Sequence, residues 1–259
     1  MAKPTATLTV LRTEWLTPHM VRIFLGDPGF DSFVPNASTD AYAKLEFGGP
    51  EEPVLRTYTI RSVDPVKREI AIDFVVHGDA GVAGPWAASA AAGDVLRLRG
   101  PGGAFAPDPA ADWYLLAGDE TAIPAISASV EKLDASAVGR VIIEVAGPED
   151  EIVFGSPAGV DVTWIHRGDT SDRIGEDASG DNAPLVAAVR DTAWLPGTAQ
   201  VFIHGEAQAV MHNLRSYVRK ERGVPASAAS ISGYWRRGRT EEGFRVWKSE
   251  LAASDGASR

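Results

Sequence analysis

Arg56-Thr57-Tyr58-Thr59-Ile60-Arg61 places two guanidinium groups, a phenol ring and two aliphatic hydroxyls on six consecutive residues. Guanidinium forks suit phosphate oxygens, a tyrosine ring stacks on a flat ring system, and a threonine hydroxyl reaches a ring nitrogen. Together they suit a planar cofactor with a charged tail. If the segment is a strand, Tyr58 and Thr59 point to opposite faces, so one ligand meets both only by wrapping the strand end. An edge strand with solvated arginines would carry the same residues.

Two further groups of residues stand out. Gly118-Asp119-Glu120-Thr121 follows an apolar run and precedes a helical pattern. Acidic residues there cap a helix and oppose its dipole, but they are poor partners for a pyrophosphate. The Gly-x-Gly-x-x-Gly dinucleotide fingerprint is missing. Arg236, Arg237 and Arg239 crowd together near the end, with Lys248 beyond and Lys44 far upstream. A local cationic cluster on an acidic chain focuses an anionic ligand, although a solvated tail has the same composition. His19, His77, His166, His204 and His212 are scattered without metal-ligand spacing, and there is no cysteine. That excludes disulfides, thiolate catalysis, Cys-ligated zinc and a Cys-bound iron–sulfur cluster.

These residues need a scaffold, and 259 residues supply one large domain or two small ones. With 35 Asp+Glu against 25 Lys+Arg, the net charge of −10 disfavours nucleic acid as a partner. No apolar run is long enough to span a bilayer, and the N-terminus has no signal-peptide core. A cytoplasmic monomer is expected. Residues 5–11, 20–25, 43–47, 55–63, 69–77 and 95–99 read as strands, and 85–91 as a short helix. Six strands with one small helix predict an antiparallel barrel. After Pro107–Ala111 the pattern becomes strand, helix, strand, helix. That order predicts a parallel sheet covered on both faces, with strands near 114–117, 140–146, 162–165 and 200–204 and helices near 123–133, 183–190 and 206–222. Residues 168–182 are expected to form a polar loop. The expected division is a barrel domain over 1–108 and an α/β domain over 109–259.

The chain resembles the siderophore-interacting protein family of the ferredoxin–NADP reductase superfamily. The resemblance rests on Arg56-x-Tyr58-Thr59, on Asp73-Phe74-Val75-Val76-His77-Gly78-Asp79 with Gly81-Val82-Ala83-Gly84-Pro85-Trp86-Ala87, and on Leu115 to Ile126. Gly205-Glu206 and Tyr234-Trp235-Arg236-Arg237-Gly238 complete it, so it runs from about Leu8 to Lys248. It implies FAD on the barrel, held by Arg56, Tyr58, Thr59 and Arg61, with Asp73, Val76 and His77 on the ribityl and adenine side. Ala83 and Gly84 would offer N–H groups to the pyrophosphate; Thr121 and Trp235 would approach the flavin. It implies NADPH on the second domain through Asp119, Glu120, Gly205 and Glu206. Arg167 is the candidate for the 2′-phosphate, whereas Glu149-Asp150-Glu151 would suit the ribose diol of NADH. Lys44, Arg236 and Lys248 would recognise an anionic ferric siderophore.

The implied activity is an NAD(P)H-dependent flavoprotein reductase that releases Fe(II) from ferric siderophores during iron acquisition. No acid–base residue is demanded, because the cofactor carries the chemistry. Two alternatives stay open: a related flavoenzyme with another acceptor, such as ferredoxin or free flavin, and a non-catalytic flavin-loaded siderophore binder.

Overall fold

Alternating apolar residues on six strands give each strand one face to bury, and burying all six at once closes them into a barrel. The computed structural model describes residues 4–49, 51–78, 81–239, 243, 244 and 247. The barrel strands are β1 (Thr5–Thr17), β2 (Met20–Gly26), β3 (Tyr42–Phe47), β4 (Val54–Asp64), β5 (Glu69–Val75) and β6 (Val95–Gly102), paired antiparallel in the closed order β1-β2-β5-β4-β3-β6. Leu8, Ile23, Leu45, Ile72, Phe74 and Leu98 fill its interior. Helix α1 (Ala83–Ser89) lies between β5 and β6 and sends Ala83 and Ala87 into that core.

The second half is a five-stranded parallel sheet of order β11-β10-β7-β8-β9. Its strands are β7 (Trp113–Asp119), β8 (Val138–Val145), β9 (Gly159–His166), β10 (Ala199–Glu206) and β11 (Ala229–Trp235). Strand β7 is buried throughout, as its run of apolar residues requires for a sheet covered on both faces. Helix α2 (Ile123–Val130) packs on one face and α3 (Pro184–Asp191) on the other. A further helix follows β10 and is wound largely in wide π turns, over Gln208–Leu214 and Tyr217–Glu221. Among the described residues no helix is long and apolar enough to cross a membrane, and no cluster of three or more His, Asp or Glu side chains could hold a metal ion.

The two halves are fastened together. A third core joins Met20 of the barrel to Ile123 and Ile126 of α2. His19 bonds Asp150 at 2.9 Å, Arg61 bonds Glu131 at 2.6 Å, and the buried Ser129 hydroxyl donates to Thr39 at 2.7 Å. Between the halves, Gln200 clamps the connection by accepting from Asp108 N and donating to the Ala106 carbonyl.

Two elements depart from the sequence reading. The sequence reading has no strand over Ala229–Trp235, yet the small residues of β11 pair in parallel with β10. The segment 168–182 contains two short 3-10 turns, Glu176–Ala178 and Gly180–Asn182.

Candidate functional site

On the barrel side, β4 carries the first group of residues. Tyr58 packs its ring on Phe74 at 4.4 Å, and Phe74 continues to Trp86 at 5.7 Å, so Trp86 anchors α1 to the barrel. Thr59 is buried and its hydroxyl hydrogen-bonds that of Tyr234, whose phenol burial pushes its pKa upward. Arg56 donates to the Leu55 carbonyl at 2.8 Å. The pairing of β4 with β5 shifts register between Ile60 and Ser62. Arg61 stands at that bulge, where alternation is broken and a side chain is re-aimed. It reaches α2, so the expectation that it would hold cofactor gives way to an interdomain ion pair with Glu131.

Asp73 needs a similar correction. It lies directly opposite Arg22 in the β2–β5 register, and the guanidinium takes both carboxylate oxygens at 2.6 and 2.8 Å. Its side chain is 1% exposed, so it braces the barrel and offers no carboxylate to a ligand. The next residues behave differently. Val76 N donates to the His19 carbonyl, while Nδ1 of His77 is buried without a partner among the described residues. Gly78 and Gly81 both have positive φ, +54° and +85°, and α1 then begins at Ala83. The first N–H groups of a helix have no intrahelical acceptor, so Ala83 and Gly84 present donors six and seven residues after His77. A flat ring on Tyr58, a pyrophosphate at the start of α1 and a polar group at His77 would satisfy all three, so the residues present fit FAD.

On the sheet side, the carboxyl ends of β7 and β10 meet at Asp119. Its Oδ1 accepts from Thr121 N at 3.0 Å and from Thr121 Oγ1 at 2.5 Å; its Oδ2 accepts from Glu206 N and Trp235 Nε1, both at 2.8 Å. Burial and the neighbouring Glu120 carboxylate push its pKa up to about 7, against the pull of these donors and of Arg167. Gly205 has φ +147°, and a Cβ there would lie 2.6 Å from Asp119 Oδ2. Glu206 caps the helix that follows β10 by accepting from Gln208 N and Ala209 N.

Arg167 corrects another expectation. A cation for a 2′-phosphate must face solvent, but the Arg167 side chain is 3% exposed and forks onto Glu120, both bonds at 2.6 Å. Glu144 lies 3.5 Å away and caps α3 through Leu185 N. The guanidinium therefore completes a buried acid–base–acid bridge.

The tail follows β11 across the cleft. Arg236 sits 3.5 Å from Glu206 and 4.8 Å over the Trp247 ring, and Arg237 donates to the carbonyls of Ser171 and Ile174. Lys44 is half-buried on β3 opposite Thr57, and Lys248 lies outside the described residues. His19–Asp150 escaped sequence reasoning because its partners are 131 residues apart.

Comparison with known proteins follows this division. Residues 46–105 match the siderophore-interacting FAD-binding domain, and residues 111–238 match the siderophore-interacting protein family. The chain belongs to the siderophore-interacting protein family. An uncharacterised Mycobacterium tuberculosis protein is 56% identical over 98% of both chains. The ferric vibriobactin reductase ViuB of Vibrio cholerae is 35% identical over 74% of this chain and 68% of its own. Among solved structures, a siderophore utilization protein from T. fusca superposes with TM-score 0.79 at 34% identity, covering 93% of this chain and 96% of that one. The match to the FAD-binding domain takes in all of β4, β5, α1 and β6, the elements that gather Tyr58, His77 and Ala83.

Proposed function

We propose that this chain is an NAD(P)H-dependent flavoprotein that reduces ferric siderophores and so releases Fe(II), working as a cytoplasmic monomer in iron acquisition. The observation that carries the reading is the meeting of the two matched halves. Thr59 of the FAD-type barrel touches Tyr234 of the sheet's last strand, one residue before Trp235 and two before Arg236. The similarity to ViuB, a ferric vibriobactin reductase, supports the acceptor class.

FAD, when bound, would take an electron pair from a nicotinamide and deliver single electrons to chelated Fe(III). The chain's own residues orient and exclude. Tyr58 and Thr59 present the barrel wall, while Ala83, Gly84 and His77 supply donors for the polar part of the cofactor. Arg56 lies on the same strand as a phosphate partner. Asp119 fixes Thr121 and the Trp235 indole, Gly205 leaves room for that carboxylate, and Glu120 with Glu206 walls the nicotinamide side. Arg236, Lys44 and Lys248 supply positive charge toward an anionic ferric chelate. Iron leaves after reduction because Fe(II) binds hard oxygen donors far more weakly than Fe(III).

The test is to mix the purified protein with NADH or NADPH, a panel of ferric siderophores and a ferrous trap. Protein-dependent trap colour with at least one siderophore is the expected result. Flavin that bleaches anaerobically but never yields Fe(II) would favour another acceptor, and flavin that does not bleach would overturn the enzymatic reading.

A further inference from the structure

We propose that a cavity at the carboxyl ends of β8 and β9 receives the adenosine ribose of a dinucleotide without a 2′-phosphate, so that the chain prefers NADH to NADPH. The proposal rests on the pyridine-nucleotide reading above and selects between its two donors. The cavity holds about 260 Å3 and is walled by His19, Gly147, Glu149, His166, Asp169 and Thr170, among others. Strand ends of this kind are where open parallel sheets take ligands. The cavity shares His19, Ala146 and Thr170 with the crevice that runs between barrel and sheet to His77 and Glu120. A dinucleotide with its ribose in the cavity can therefore extend along that crevice toward the barrel.

Charge decides between the donors. Among the described residues no lysine or arginine lines the cavity. Arg167, on the residue that follows β9, is turned inward and spent on Glu120. The two imidazoles at the rim are also engaged, His19 with Asp150 at 2.9 Å and His166 with Glu151 at 2.8 Å. Asp169 accepts from Thr170 N at 2.7 Å. Glu149 makes no hydrogen bond or ion pair among the described residues, and its carboxylate folds back over Gly147, where a Cβ would lie 2.7 Å from Oε2. An unengaged carboxylate accepts both hydroxyls of a ribose diol. The same carboxylate, beside Asp150, Glu151 and Asp169, repels the two charges of a 2′-phosphate. NAD-type sites place an acidic side chain on the ribose hydroxyls, and Glu149 stands four residues past the end of β8, the second strand of this sheet in chain order.

The experiment uses the FAD-loaded protein with two readouts. Calorimetric titration compares 5′-AMP with 2′,5′-ADP, and anaerobic stopped-flow compares flavin reduction by NADH and by NADPH. The expected result is that 5′-AMP binds tighter and that NADH has the higher kcat/KM. Each difference should be about tenfold or more, the effect of roughly one screened charge pair. Glu149→Arg should narrow or reverse both ratios with flavin content unchanged. Equal or better use of NADPH by the wild-type protein overturns the proposal, as do ratios that Glu149→Arg leaves unmoved. Failure of both fragments to bind overturns the cavity assignment while leaving the reductase reading intact. Failure of both donors to reduce the flavin overturns the donor reading itself.

Discussion

Asp119 is the residue on which the sheet side of the cleft turns. Its protonation changes between folded and unfolded chain, from about 7 in the fold to an ordinary 3.8. The folded state thus binds more protons between those limits, and stability falls as pH rises from about 4 to about 7. In Asp119→Asn, urea unfolding across that range should lose most of this slope. Glu144, whose pKa burial also raises, keeps a remainder. Gly205→Ala should act on the same carboxylate from the other side. It adds a Cβ 2.6 Å from Oδ2 at a φ that side chains rarely adopt, which costs ~1–3 kcal/mol, measurable as a lowered Tm. The sequence showed Asp119 as a helix cap, which it is for Thr121 N. It could not show the bonds from Glu206 and Trp235, because those depend on β7, β10 and β11 ending side by side.

At the scale of elements, β4 and the β5–α1 connection form the cofactor wall. Replacing both Arg56 and Tyr58 with alanine should leave a folded protein that purifies largely colourless, read by flavin absorbance beside an unchanged circular dichroism spectrum. Retained FAD would move the cofactor off this strand. Much of the barrel was legible because period-two alternation survives in β1, β3 and β5. In β5 the outer face is buried too, since Arg22 covers Asp73 and Val75 packs against the other half; alternation alone assigned that face no partner. Arg61 and Arg167 were misplaced for one reason. Sequence gives a charge its position along a strand, but a bulge sends Arg61 to Glu131, and burial sends Arg167 to Glu120. Strand β11 was missed because alanine, serine and glycine carry little strand signal and take their place from β10.

The whole molecule carries a net charge of −10, so an anionic chelate meets repulsion over most of the surface. Neutralising Lys44, Arg236 and Lys248 together should raise the apparent KM for anionic ferric siderophores, and added salt should mimic the change. A solvent-screened charge contributes ~0.2–1 kcal/mol, so single variants should shift KM only about 1.4- to fivefold. The rate at saturation should fall little, because these contacts form before electron transfer and persist through it. A loss of kcat for every acceptor, with KM unchanged, would assign the tail to cofactor geometry. The tail has one more consequence, for how the chain survives damage. Strand β11 covers the row of backbone groups along β10, whose Val201, Phe202 and Ile203 are fully buried. A chain cut before Ala229 would expose that row as an apolar sheet edge, a template for pairing with another chain. Proteolytic loss of the last strand should therefore produce aggregates, and no soluble shortened form should accumulate.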